Sequence, residues 1–318
     1  MAALRKSPRA DAIMATDTLR AVVVGAVGST AVLMEELSAA AGWCVPLVVT
    51  LPEELFKRHS DLVDIRPHAA QAGAKLATVA RTNDPETLLL VRAARPDYVF
   101  VVGWSQLCGQ DFLAIGAKGS IGYHPAPLPR LRGRAAIPWT ILLDEPISAS
   151  SLFWIGAGTD DGDILAQHYF HVARDETAQG LYDKHMDALR TMLRGVLPRL
   201  AAGEQPRTPQ DERYATWATR RTPADGAIDW RQSAISIDRL VRAVGRPYPG
   251  AFTRSGDRRI TVWATQPVEG AERHHAMPGQ IVARHGHVLT VQTGQGLLDL
   301  VEWEIEGRYP PLHAILEG

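Results

Sequence analysis

The patterned part of the chain begins with Leu19-Arg20-Ala21-Val22-Val23-Val24-Gly25, a β-branched run that predicts a buried strand. Gly25-Ala26-Val27-Gly28-Ser29-Thr30 follows as a turn, and the spacing after it predicts a helix reaching about Ala41. Leu47-Val48-Val49-Thr50, just after Pro46, predicts a second strand, and Leu76-Ala77-Thr78-Val79 a third at the edge of a sheet. Residues 85–95 read as an amphipathic helix, and Asp97-Tyr98-Val99-Phe100-Val101-Val102-Gly103 as a further central strand. Strand alternating with helix over roughly a hundred residues implies parallel pairing with crossovers, so the expected fold class is α/β, a doubly wound, mostly parallel, Rossmann-like sheet. Such sheets place ligands beyond the carboxyl ends of their strands, where Gly103-Trp104-Ser105-Gln106 and the loop around His124 fall.

Residues 177–200 carry apolar side chains at helical spacing, among them Leu181, Leu189, Leu193 and Leu197, and the pattern stops at Gly203. Glu204-Gln205-Pro206-Arg207-Thr208-Pro209 is polar and proline-rich, as linkers are. Beyond it a helix over 235–244 and short strands around 259–263, 279–282 and 288–291 predict a small β-rich domain. The expected organisation is a flexible tail over residues 1–18, one domain over 19–203, a linker over 204–220 and a β-rich C-terminal domain over 221–318. No internal repeat or low-complexity segment interrupts it.

Composition narrows the function classes. With 318 residues, 46% of them hydrophobic, the chain has apolar material for two packed cores. Its 34 Lys+Arg against 35 Asp+Glu give no broad positive field to collect nucleic acid. Cys44 and Cys108 belong to no CxxC or Cys/His spacing, so neither a disulfide nor a structural zinc is expected. The longest apolar runs have strand length, far short of a membrane span, and the first eighteen residues lack the uninterrupted apolar stretch of a secretory signal. A cytoplasmic protein is the expectation.

Gly25-x-x-Gly28 after the first strand invites a dinucleotide reading, but it is not GxGxxG and no acidic residue closes the next strand, so a tight strand-to-helix turn is favoured over NAD. Arg130-Leu131-Arg132-Gly133-Arg134 suits either a solvated basic turn or forked anchors for phosphate or carboxylate. Two further motifs carry candidate chemistry. His124 closes Ser120-Ile121-Gly122-Tyr123-His124 and enters the proline-braced Pro125-Ala126-Pro127-Leu128-Pro129, while Asp160 opens Asp160-Asp161-Gly162-Asp163. An imidazole with a carboxylate beside it is a general base with an orienting partner. Singly, the histidine is more often structural, and the acidic turn is more often only a turn that lacks the remaining ligands of a calcium loop.

Taken together, residues 124–135 (His-Pro-Ala-Pro-Leu-Pro-Arg-Leu-Arg-Gly-Arg-Ala), Pro138-Trp139 and Thr159-Asp160-Asp161-Gly162-Asp163-Ile164-Leu165 resemble the 10-formyltetrahydrofolate-dependent formyltransferases. That family pairs an Asn-x-His-Pro-Ser-Leu-Leu-Pro-x-Tyr-Arg-Gly loop with an Asp-x-Gly-Asp turn, and Asp160 stands 36 residues after His124, the family's own spacing. Arg220-Arg221-Thr222-Pro223, Ile228-Asp229-Trp230 and Pro247-Tyr248-Pro249-Gly250-Ala251-Phe252 are similar to the family's second domain, so the resemblance spans about residues 19–300.

The resemblance implies 10-formyltetrahydrofolate as cosubstrate, lying against Trp104, Ser105, Gln106 and Leu107 with Asp161 and Gly162 closing over its pterin, and no metal. It implies His124 as the residue that takes the amine proton and Asp160 as its partner, with Arg132, Arg134 and Tyr123 facing the acceptor. The third catalytic position of the family is an asparagine, and here it is Gly122; Gln106, Ser120 and the loop's backbone amides are candidates to replace that donor. Residues 51–67 mix Lys57, Arg58 and His59 with Glu53, Glu54, Asp61 and Asp64, unlike the long basic insertion of methionyl-tRNA formyltransferases. The chain looks more like the sugar N-formyltransferases, such as the domain acting on UDP-4-amino-4-deoxy-arabinose, which makes a nucleotide-linked amino sugar the expected acceptor. Methionyl-tRNA and hydroxyornithine stay open as acceptors, as do a folate- or nucleotide-sugar-binding protein without transfer activity, a formyltetrahydrofolate hydrolase, and a homodimer.

Overall fold

A computed structural model describes residues 18–58, 61–269 and 274–317. Most of the expected tail, and His59 with it, lies outside the described residues. The first sheet contains β1 (Leu19–Val24), β2 (Trp43–Thr50), β3 (Lys75–Thr78), β4 (Tyr98–Val101), β5 (Gly119–His124), β7 (Ile147–Trp154) and β8 (Ile164–His171), in the order β3-β2-β1-β4-β5-β7-β8. Strands β1 to β5 pair in parallel and β7 and β8 add an antiparallel flank. Helices α1 (Gly28–Ala39), α2 (Arg66–Gln71), α3 (Pro85–Ala93) and α4 (Gln110–Leu113) lie among the parallel crossovers.

Strand β2 runs four residues earlier than its apolar stretch and includes Pro46. The register slips there, Arg20 facing Cys44 but Val22 facing Leu47, so proline occupies an irregularity where a missing N–H is tolerated. Strands β5, β7 and β8 carry no clear apolar run. Glycines dilute β5, serines dilute β7, and β8 is a partly exposed edge.

Helix α6 (Ala178–Ala201) lays Leu189, Leu193, Leu197 and Leu200 against the sheet, with Thr177 Oγ1 accepting from the Gly180 amide as N-cap. The second sheet is antiparallel, β10 (Ala251–Ser255), β11 (Arg258–Val268), β14 (Leu297–Ile305), β13 (Val288–Gln292) and β12 (Ile281–His285), and α7 (Ala234–Val244) packs on it. Its apolar core also takes in Ile137 and Ile141 of α5 (Ala136–Leu142) and Leu181 of α6, so the two halves share buried surface. A short parallel ladder joins them as well: β6 (Arg132–Gly133), in the loop after β5, pairs with β9 (Trp217–Ala218) of the linker. No helix among the described residues is long and apolar enough to cross a membrane.

Candidate active site

His124 is the last residue of β5, buried at the carboxyl end of the sheet opposite Ser151 of β7. Its Nε2 lies 2.7 Å from the Leu131 carbonyl oxygen, which can only accept. Nε2 therefore carries the hydrogen, and Nδ1 is left facing Asp160 Oδ2 at 3.7 Å. The same carboxylate oxygen accepts from the Gly133 amide at 2.8 Å. The structure thus brings imidazole and carboxylate together, but a backbone carbonyl rather than Asp160 selects the tautomer. Three non-glycine residues of this lip, Leu131 (φ 58°), Ala135 (φ 56°) and Asp160 (φ 51°), adopt the left-handed conformation. Each costs about 1–2 kcal/mol and persists only where its surroundings over-determine it.

The loop leaving His124 has spent its own donors. Pro125, Pro127 and Pro129 have none. The amides of Ala126, Leu128 and Arg130 bond the carbonyls of His124, Ala126 and Pro127. Those of Leu131, Arg132 and Arg134 bond Thr216 Oγ1, Thr216 O and Ala218 O, and Gly133 holds Asp160. Gln106 Nε2 donates to Ala80 O, and Ser120 Oγ to Leu113 O. Ser120 and the amides of Ala126, Leu128, Arg130, Leu131, Arg132, Gly133 and Arg134 are therefore already engaged, and Gln106 has one of its two Nε2 hydrogens committed.

Gly122 shows why the asparagine is absent. A β-carbon there would fall 2.7 Å from Phe153 Cζ, 2.8 Å from its Cε1 and 3.1 Å from Ile155 Cγ1. Phe153 is the cross-strand partner of Gly122, so its ring fills the space a side chain would need. Tyr123 points to the opposite face, as strand alternation requires. Its hydroxyl lies 3.1 Å from Ser150 Oγ and donates to His185 O, so the expected contact with an acceptor is replaced by a core hydrogen bond.

The three arginines after the loop differ. Arg130 pairs with Glu145. Arg132 is 3% exposed and forks onto Glu212 (3.0 and 2.7 Å) while Nε and Nη2 share Gln210 Oε1, which corrects its reading as a substrate anchor. Arg134 is exposed and has no side-chain partner among the described residues.

On the expected folate side, Trp104 Nε1 donates to Thr82 Oγ1 and Gln106 Oε1 accepts from the Thr82 amide, so 104–107 is zipped to the 80–83 loop. Leu107 is left 76% exposed beside the exposed Ser105. The Asp161 carboxylate lies against Gly156 and Gly158, and a β-carbon at Gly162 would collide with the Trp154 carbonyl. A separate hollow lined by Thr50, Leu51, Val63, Ile65 and Leu76 sits at β2 and β3 and contains none of these residues.

Sequence reasoning passed over two features. His185 of α6 is wholly buried, its Nδ1 2.8 Å from Ser150 Oγ and its Nε2 without a partner among the described residues. Desolvation first, and the charge of His124 second, push its pKa down to about 3, so it stays neutral. Gln210, two places before Glu212 in the linker, donates to both Asp160 O (2.8 Å) and Gly162 O (2.7 Å). Neither stands in a motif, and a lone polar residue in a proline-rich linker gives no signal.

Known proteins place this arrangement. A family described as formyl transferase matches residues 23–197, and its C-terminal domain matches residues 220–311. The fold is similar to HypX from Aquifex aeolicus in complex with tetrahydrofolic acid (TM-score 0.64, 18% identity, 91% of this chain covered); the chain spans about half of that protein, 45%. It is also similar to an N-formyltransferase from Helicobacter canadensis in complex with folinic acid and dTDP-3-aminofucose (TM-score 0.65, 13% identity, 90% of this chain and 100% of that one). Methionyl-tRNA formyltransferase from Clostridium thermocellum aligns over 79% of this chain and 95% of its own (TM-score 0.55, 17% identity). With both halves of the family pattern covering most of the sequence in order, the chain belongs to the formyl transferase family.

Proposed function

We propose that this protein transfers a formyl group from 10-formyltetrahydrofolate to the amino group of a nucleotide-linked sugar. The observation that carries the reading is the buried His124, its Nε2–H tied to Leu131 O and its Nδ1 turned to Asp160. The amine nitrogen attacks the formyl carbon, Nδ1 takes the amine proton, and the Asp160 carboxylate offsets the resulting imidazolium. As the bond from the formyl carbon to N10 breaks, that proton passes to N10, leaving a formamide and tetrahydrofolate. With Phe153 closing the space over Gly122 and the loop amides engaged, the protonated Nδ1 is also the donor that meets the developing oxyanion.

In this reading the exposed Leu107 and the half-buried Trp104 offer an apolar wall to the pterin, and the Asp161-Gly162 turn covers it. Arg134, one residue from the amide that holds Asp160, meets the acceptor's phosphate. A small anionic acceptor is favoured over tRNA by the balanced charge and the mixed signs of residues 51–67. It is favoured too by the likeness, over its whole length, to a protein crystallised with dTDP-3-aminofucose.

Purified protein given 10-formyltetrahydrofolate and a panel of nucleotide amino sugars is expected to release tetrahydrofolate only with the matching sugar, whose mass rises by one formyl group. His124→Ala is expected to abolish release while its circular dichroism is unchanged. Release without any amine would replace the transferase by a hydrolase, and folate binding without turnover would leave a binding protein.

A further inference from the structure

The segment joining the two halves does more than connect them. Its carbonyl and hydroxyl at Thr216 and its carbonyl at Ala218 hold the amides of Leu131, Arg132 and Arg134, the stretch that presents Leu131 O to His124 and Gly133 N to Asp160. Upstream, Gln210 bridges the two catalytic loops. Its Oε1 receives Arg132 Nε (3.1 Å) and Nη2 (2.8 Å), and its Nε2 serves the carbonyls of Asp160 and Gly162. The amide orientation is unambiguous, because a guanidinium only donates and a carbonyl only accepts. Every hydrogen-bonding site of the carboxamide is filled.

That bridge acts on a strained residue. Asp160 reaches both Gly133 N and the imidazole from a left-handed backbone, a conformation that isolated L-residues disfavour. Gln210 grips the carbonyl of this residue and of the next but one, and Arg132, fixed by Glu212, aims the carboxamide. We propose that Gln210 is a positioning residue for the Asp160–His124 pair, so that the 210–218 stretch of the linker supports the catalytic pair. The catalytic consequence rests on the formyl-transfer reading above; the positioning itself does not.

Gln210→Ala and Gln210→Glu test it, the latter setting a carboxylate against two carbonyls, with Gln205→Ala as a control on the same linker, whose side chain contacts Tyr98 and Lys118 instead. Gln210→Ala is expected to lower kcat about a hundredfold, the scale of a misplaced catalytic group, with KM for folate changed less than about threefold. Gln210→Glu loses at least as much, and Gln205→Ala is unchanged. The His124 imidazole resonances in NMR spectra shift in both Gln210 variants and not in Gln205→Ala. Unchanged kcat together with unchanged imidazole resonances in folded Gln210→Ala would overturn the proposal, as would equal losses in Gln205→Ala. If the unaltered protein transferred no formyl group, the functional reading would fall, and the resonances alone would judge the positioning.

Discussion

Two strand ends on the same lip of the sheet, the turn after β1 and the loop after β5, look alike in outline and serve different ends. At the turn, Gly25 and Gly28 have ordinary backbones, and a side chain on the first would strike the Val102 carbonyl and the Thr30 hydroxyl, on the second the Tyr182 hydroxyl. The amides of Gly25, Ala26 and Val27 bond Val49 O, Gly103 O and Thr30 Oγ1. The glycines therefore permit close packing, and the amides of residues 25–27 are spent internally. After β5 the strained positions are not glycines, and the side chains that face each other, His124 and Asp160, are titratable. Glycine spacing here reports packing, whereas left-handed non-glycine residues around an imidazole mark the chemistry.

The contrast breaks most visibly by exchange of effects. With the tautomer fixed by Leu131, Asp160→Asn removes only the charge that offsets the imidazolium and is expected to cut turnover about a hundredfold to a thousandfold while the thermal midpoint moves little. Gly25→Ala is expected to do the reverse, losing about 3 kcal/mol or more of stability from overpacking against backbone, with residual activity following the folded fraction. A rate loss in folded Gly25→Ala as deep as that of Asp160→Asn would erase the distinction. Denaturant titration and steady-state kinetics on the two variants decide it.

Gly122 lies between the two cases, a packing glycine inside the catalytic strand. Gly122→Ala is expected to destabilise by about 1–3 kcal/mol through Phe153, and Gly122→Ala with Phe153→Leu to lose less than the sum of the single losses. A double-mutant cycle in urea measures that coupling; strict additivity would show that the ring does not set the residue.

The gentlest probe is pH. An exposed imidazole titrates near 6.5, whereas His185 in the fold is pushed down to about 3. Between those values the unfolded chain binds a proton that the fold refuses, so this residue lowers stability as pH falls from 6.5 towards 3, by up to about 1.4 kcal/mol per pH unit. His185→Gln removes that dependence, and its thermal midpoint is expected to fall less between pH 6.5 and 5 than that of the unaltered protein. Parallel curves for the two proteins would assign the acid sensitivity to other groups.

Much of the frame was legible because periodicity is local. The β-branched run of β1, the alternation of strand and helix, and the stripe of α6 each follow from side chains a few residues apart. Strand β7 was not legible, since Ser150 and Ser151 are buried only by virtue of distant partners, His185 and the Ala126 carbonyl.

By itself the sequence determined the class of sheet, the family, and the two residues whose spacing carries the resemblance, because motif and period are written in neighbouring positions. It took the folded chain to show that Arg132 belongs to Glu212 and Gln210, that Phe153 occupies the place of a side chain at Gly122, and that Leu131 fixes the tautomer of His124. Those outcomes depend on which hydrogen-bonding groups and volumes are spent internally, and that is settled only when segments about 80 residues apart, such as Arg132 and Glu212, meet.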